Sequence, residues 1–241
     1  MNAKQNTASE TIVLTEQFQI GSLRKTSLAA GILYLLTFVS VPTLALYSSI
    51  HKPGYILGIG PGTEVIIGGI LEIIVALSCI ATAVVLYPVL KKQNEALALG
   101  LVASRVLEAG TIIIGVAFLL SVVTLKNNGA GADALVTSHT LVALYDRIFL
   151  LGQSFMPAVN DLLLGFMLYK LRLVPRALSM IGIIGAFPLI AGYIAILFGL
   201  IEQRSVLAGL SAVLVALFEF ALGIYLIVKG FKSGSTSSSS V

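Results

Sequence analysis

The chain has 241 residues, 57% of them apolar and 11% charged, with a formal net charge of +4 and a mean hydropathy of +1.01. A water-soluble globular domain carries roughly 25% charged residues, so this composition excludes that class and points to lipid as the solvent. No basic stripe is interleaved with aromatic residues, which excludes a nucleic-acid surface as the reason for the positive charge.

Residues 1–25 contain no long apolar run and read as a cytoplasmic N-terminal segment, not a cleavable signal. Ile12, Val13, Leu14, Phe18 and Ile20 could line a short amphipathic turn on the membrane surface, but a floppy tail is the preferred reading. Residues 26–229 hold six apolar spans: Ser27–Tyr47, Val65–Tyr87, Leu97–Thr124, Leu141–Tyr169, Leu178–Phe198 and Val206–Val228. Each meets the roughly 20 residues that a helix needs to cross a hydrocarbon core. They lack period-2 alternation and are about twice as long as a barrel strand. With backbone groups unable to reach water, helices are what remains. The expected fold is therefore all-α, a polytopic membrane protein built as a bundle of six transmembrane helices. Residues 230–241 are Ser-rich and read as a disordered cytoplasmic tail.

Between the first two spans, Gly58-Ile-Gly-Pro-Gly-Thr63 lacks the spacing and the preceding strand of a phosphate loop. It is expected to turn the chain, with Thr63 capping the second span and Glu64 in its first turn. The links Pro88 to Ala96 and Lys170 to Ala177 are short, so spans two and three should pair, as should four and five. Pro175 suits the first turn of span five, and Pro157 is expected to kink span four. Tyr47, Tyr87 and Tyr169 stand at span ends as interface anchors in a chain without Trp. Cys79 is the single cysteine and lies inside the second span. His51 and His139 show no zinc-ligand spacing. The three-plus-three arrangement permits inverted repeats, but matching features are not visible in the two halves.

The basic residues sort by side. Lys4, Arg24, Lys25, Lys91, Lys92, Lys170, Arg172, Arg176, Lys229 and Lys232 fall on one, and Lys52, Lys126 and Arg204 on the other. The positive-inside bias then predicts cytoplasmic termini, with the plasma membrane as the expected location.

Several stretches carry a family likeness: Ala29-Ala-Gly-Ile-Leu-Tyr-Leu-Leu36, Ala83 to Leu90 followed by Ala96 to Gly100, Ser104-Arg-Val-Leu-Glu-Ala109, and Leu164 to Leu178. In these the chain resembles an uncharacterised prokaryotic membrane family, domain of unknown function 4386, over about residues 26–200. The family pattern ends its last stretch with Leu-Gly, where this chain has Leu178-Ser179. The resemblance implies the membrane fold and brings no catalytic or ligand-binding residues with it.

Function must come from the ionisable groups at bilayer depth, each costing roughly 2.5–3.5 kcal/mol at a helix centre. Counting 1.5 Å per residue from span midpoints puts Glu108, Asp161 and Glu219 within about 5 Å of the midplane. Arg105 lies one turn from Glu108 on the same face, and Glu72 about 6 Å toward the outside. Asp146 and Arg147 fall near the outer headgroups and are discounted. Asn160 shares a polar stripe with Asp146, Gln153 and Asp161. The expected site is an intramembrane cluster of Arg105, Glu108, Asp161, Glu219, Glu72 and Asn160. One guanidinium cannot neutralise so many acids, so some should hold protons or a cation. A carrier or ion-coupled protein for a proton, a cation or a small polar solute follows, with the lipid bilayer as its surroundings. Neither cofactor nor metal is expected. The alternatives are a structural or regulatory component using the charges as helix–helix glue, and an intramembrane enzyme using paired acids on a lipid-like substrate. A carrier requires a water-accessible cavity reaching the acids from one face, glue a dry, closed bundle with every acid paired, and an enzyme either a pocket opening sideways to lipid or a hydroxyl beside a carboxyl.

Overall fold

The structure, a computed structural model, describes residues 21–232. Both the proposed N-terminal amphipathic turn and most of the Ser-rich tail fall outside the described residues. Within them the chain is helical and has no strand. Six helices are long and apolar enough to cross a membrane: α1 Gly21–Leu46, α2 Thr63–Leu90, α3 Glu95–Asn127, α4 Gly131–Leu171, α5 Arg176–Leu197 and α6 Val206–Val228. This is the expected all-α bundle. Its outward surface is apolar, with Ile66, Ile70, Leu77, Leu107 and Ile114 among many exposed large side chains, a surface suited to acyl chains and not to water.

The helices run up and down, so one end of the bundle carries residues 21, 91–94, 172–175 and 229, and the opposite, far end carries the loops 47–62, 128–130 and 198–205. Spans two and three pack together, as do four and five, in line with their short links; α5 also packs on α6 and α3 on α4. Asn94 caps α3, accepting from the Leu97 N–H at 3.0 Å. The ring is closed where α1 meets α6. Arg24 donates to the carbonyls of Leu226 and Ile227 at 3.0 and 2.6 Å, and Ser27 donates to Leu226 at 3.2 Å. These satisfy the last carbonyls of α6, which have no intrahelical donor.

Two spans depart from regular α-helix. In α1 the helix gives way to a 3-10 turn at Thr37–Ser40, then resumes over Thr43–Leu46 after Pro42. Pro42 has no N–H and crowds the preceding turn. Hydroxyls take over part of the bonding: Thr37 donates to the Tyr34 carbonyl (2.7 Å), Ser40 to Thr37 (3.1 Å) and Thr43 to Ser40 (2.6 Å). In α4 a π-helical segment, Leu150–Phe155, leads into Pro157 at the start of the following α-helical stretch. The kink expected at Pro157 is thus taken up by a widened turn that leaves the proline without a ladder bond to lose.

Four smaller expectations are corrected. Thr63 does not cap α2; Gly62 does, in the left-handed conformation (φ 70°) that glycine tolerates, with no side-chain cap. Glu64 is in the first turn as expected. Pro175 sits at the N-cap of α5, one residue before the first turn. Tyr47 is no interface anchor but is buried against Tyr145, their ring centroids 5.5 Å apart. α4 begins at Gly131, well before Leu141, because Thr137, Ser138, His139 and Thr140 form helix as readily as apolar residues once beyond the hydrocarbon.

Candidate functional site: a buried charge cluster beside a cavity

The inward face of α3 is a stripe at helical spacing, Leu101, Ser104, Arg105, Glu108, Ile112 and Gly115. Arg105, at 2% side-chain exposure, is the hub. Its Nη1 donates to Glu108 Oε2 at 3.1 Å and points to Cys79 Sγ at 3.6 Å. Its Nη2 donates to Glu219 Oε1 at 2.9 Å and to the Tyr34 hydroxyl at 3.2 Å. One planar fork therefore ties α3 to α1, α2 and α6, a geometry that only a guanidinium provides. α4 completes the ring. Asn160 Nδ2 donates to Glu108 Oε2 at 2.7 Å, and Ser104 donates to Asn160 Oδ1. Arg105, Glu108 and Glu219 are thus brought together as the depth count anticipated, and Asn160, reached through the polar stripe of its span, joins them.

Asp161 stands against the same group, with Glu219, Arg105 and Glu108 as its charged neighbours. It is fully buried, yet neither carboxyl oxygen has a hydrogen-bond partner. Glu72 stands apart, a correction to the expected cluster. It faces the far-end half of α4, where its Oε1 accepts from the Tyr145 hydroxyl at 2.9 Å and from Gln153 Nε2 at 3.2 Å. A depth count could not separate it, because depth carries no information about which way a helix face points.

A cavity of about 200 Å³ lies against the cluster, with Arg105, Glu108, Glu219 and Gln153 on its polar side. Thr37 and Ser40, from the break in α1, also line it, and Val75, Leu189 and Val215 make apolar walls. Its volume gives room for several water molecules. A second cavity of about 520 Å³ lies at the far end, lined by Tyr47, His51, Tyr145, Asp146 and Arg204 among others. There Asp146 joins His51 Nε2 at 3.1 Å and Arg204 Nη2 at 3.0 Å. Its backbone carbonyl accepts from Gln203 Nε2 at 3.1 Å. Asp146 is therefore paired among the far-end side chains, and Arg147 is exposed.

Tyr34, Cys79, Ser104 and Tyr145 were missed as site residues. Of the phenols only Tyr34 carried a readable signal: it stands well inside an apolar span, away from the end positions that suit an interfacial tyrosine, so its hydroxyl needs a partner.

No curated protein and no solved structure matched the chain. The stretch Ser104 to Ala109, singled out in the sequence, is the segment that carries Arg105 and Glu108. Every residue of the cluster lies within residues 29–230, which match the family model described as Domain of unknown function (DUF4386); this multi-pass membrane protein belongs to that family.

Proposed function

We propose that the protein is a carrier or ion-coupled membrane protein, resident in the plasma membrane with both ends in the cytoplasm, whose binding site is the cavity against Arg105, Glu108 and Glu219. The observation that carries this reading is a void with two carboxylates and one guanidinium in its wall. Glu108 and Glu219 together exceed Arg105 by one negative charge, and Asp161 adds a third acid behind them. An uncompensated charge inside a bilayer is costly, so the group takes up a proton or a monovalent cation. The apolar remainder of the wall suits a proton, a small cation or a small polar solute with a short apolar body.

A second reading, glue without turnover, is favoured by one observation: Arg105 finds a partner on three other helices, which is what a packing clasp needs. It leaves the cavity and the partnerless Asp161 unused. The enzyme reading asks for a hydroxyl on a carboxyl. Within the bundle Tyr145 on Glu72 answers it, but the Glu72 carboxyl is fully buried and lines neither cavity, so a substrate has no access to it.

The carrier reading is tested in proteoliposomes containing a trapped pH dye, with proton flux and methylammonium uptake followed for the native chain, Glu108→Gln and Asp161→Asn. Flux that falls in both variants while their thermal unfolding stays close to native supports it. Native flux in both would sink it.

A further inference from the structure

Glu72 is a buried carboxyl that the site above does not use, and its position between the two cavities gives it a role. Neither cavity is lined by Glu72 itself, which is 0% exposed. Its two donors are, however, wall residues. Tyr145 lines the far-end cavity and Gln153 lines the cavity at the Arg105 cluster. Tyr47, also in the wall of the far-end cavity, turns its ring toward the same part of α2, where a side chain at Gly68 would meet it. The Tyr47 hydroxyl faces the carboxyl but lies outside hydrogen-bonding geometry, and Glu72 Oε2 is likewise without a partner. One oxygen of the carboxyl is thus held by two neutral donors, and the other is buried and unengaged.

We propose that Glu72 is a second proton-binding site, separate from the Arg105 cluster and filled from the far face through the larger cavity. No cation lies within hydrogen-bonding reach of Glu72, so a lone carboxylate there would be a bare charge in hydrocarbon. A proton on Oε2 removes that charge and gives the Tyr47 hydroxyl a donor to accept from, while Oε1 keeps both of its bonds. The groups that surround the site are Tyr47 from α1 and Tyr145 and Gln153 from α4. The α3 side chains beside neighbouring Gly69 are Val116 and Leu120. The titratable and charged groups in the walls on either side are Asp146, His51 and Arg204 at the larger cavity and Arg105, Glu108 and Glu219 at the smaller. The proton therefore comes from solvent in the larger cavity, passes the two phenols, and rests on Glu72 one side chain from the inner cavity. Delivery onward to Glu108 or Glu219 rests on the carrier reading; proton binding at Glu72 does not.

Infrared difference spectroscopy of the full chain in lipid vesicles, recorded against pH in water and in deuterium oxide, tests this directly. The native protein is expected to show a protonated-carboxyl stretch that Glu72→Gln abolishes and that Glu108→Gln leaves in place. Tyr145→Phe keeps the carboxyl but removes a donor to its carbonyl oxygen, so it should move the same stretch to higher frequency. Gly209 lines the larger cavity and an added Cβ there meets nothing within 4 Å, so Gly209→Phe should fold and fill the cavity. It should slow deuterium exchange of the Glu72 band by roughly tenfold, the effect of ~1.4 kcal/mol added to the barrier. A carboxyl spectrum unchanged in both Glu72→Gln and Tyr145→Phe overturns the site, and native exchange in Gly209→Phe overturns the route. Either result leaves the flux test of Glu108 untouched, and loss of flux sensitivity at Glu108 leaves these spectra untouched.

Discussion

Arg105 and Asp161 are opposite cases of a buried charge, and their removal should have opposite effects. Arg105 makes four side-chain contacts, three of them to other helices. Arg105→Leu strips Glu108 and Glu219 of their counter-charge, and breaking a buried pair from one side costs about 3–5 kcal/mol. Arg105→Lys should recover little of this, because an ammonium cannot span Glu108 and Glu219 with the planar fork that engages both. Thermal unfolding in detergent reads the cost, and a Lys variant as stable as native would show that charge alone suffices. Asp161 receives no hydrogen bond at either oxygen. An unsatisfied buried polar group costs about 1–3 kcal/mol, so Asp161→Leu, which keeps the forked shape with apolar ends, should raise stability. A stabilising variant that loses flux is the mark of a residue kept for function against the interest of the fold. Should Asp161→Leu unfold at a lower temperature, the carboxyl has a structural partner after all.

The same contrast between local chemistry and packing governs the helices. α1 and α6 approach closely because Gly31 faces Gly223: a Cβ at Gly31 would lie 2.7 Å from the Gly223 carbonyl oxygen and 2.8 Å from Ile227. Small residues at such crossings are what lets membrane helices pack without a hydrophobic drive between them. Gly31→Leu should therefore cost about 1–3 kcal/mol by overpacking, and should also pull Tyr34, one turn on, away from Arg105. Thermal unfolding and Cys79 reactivity toward a small thiol reagent report the two effects separately. Gly31 lies in Ala29–Leu36, one of the stretches that resembled the family, so the sequence did mark the place. Existence and order of all six spans were legible because a 20-residue apolar window is a strong signal. The breaks were not. Hydropathy averaged over a window does not register which carbonyls have lost a donor, so Pro42 in α1 passed unnoticed and Pro157 was read as a simple kink. Depth along each axis was legible too, and it gathered Arg105, Glu108, Asp161 and Glu219, while the polar stripe of α4 added Asn160. Rotation about each axis was not legible, and Glu72, at nearly the right depth, turned out to face Tyr145.

At the scale of the molecule, the two cavities are not placed evenly between the faces. The larger is walled by His51, Gln203 and Arg204 from the far-end loops, and the smaller reaches the break in α1 that lies toward the same end. Which compartment supplies the site therefore depends on orientation. Among the described residues, Arg24, Lys25, Lys91, Lys92, Lys170, Arg172, Arg176, Lys229 and Lys232 lie at the end away from the cavities, against Lys52, Lys126 and Arg204 at the far end. That bias predicts that the far end faces outward, so a proton or cation would enter from outside. A Cys79→Ser background removes the single native thiol, after which Asn128→Cys and Gln93→Cys place one reporter on each exposed turn. In intact cells a membrane-impermeant maleimide should label Asn128→Cys at once and Gln93→Cys only after the membrane is opened. The reverse pattern would put both cavities on the cytoplasmic side. Uptake from outside would then have to cross the end of the bundle where Leu90, Leu101, Leu168 and Leu226 are buried in one apolar cluster, and the direction of any coupled flow would have to be inverted.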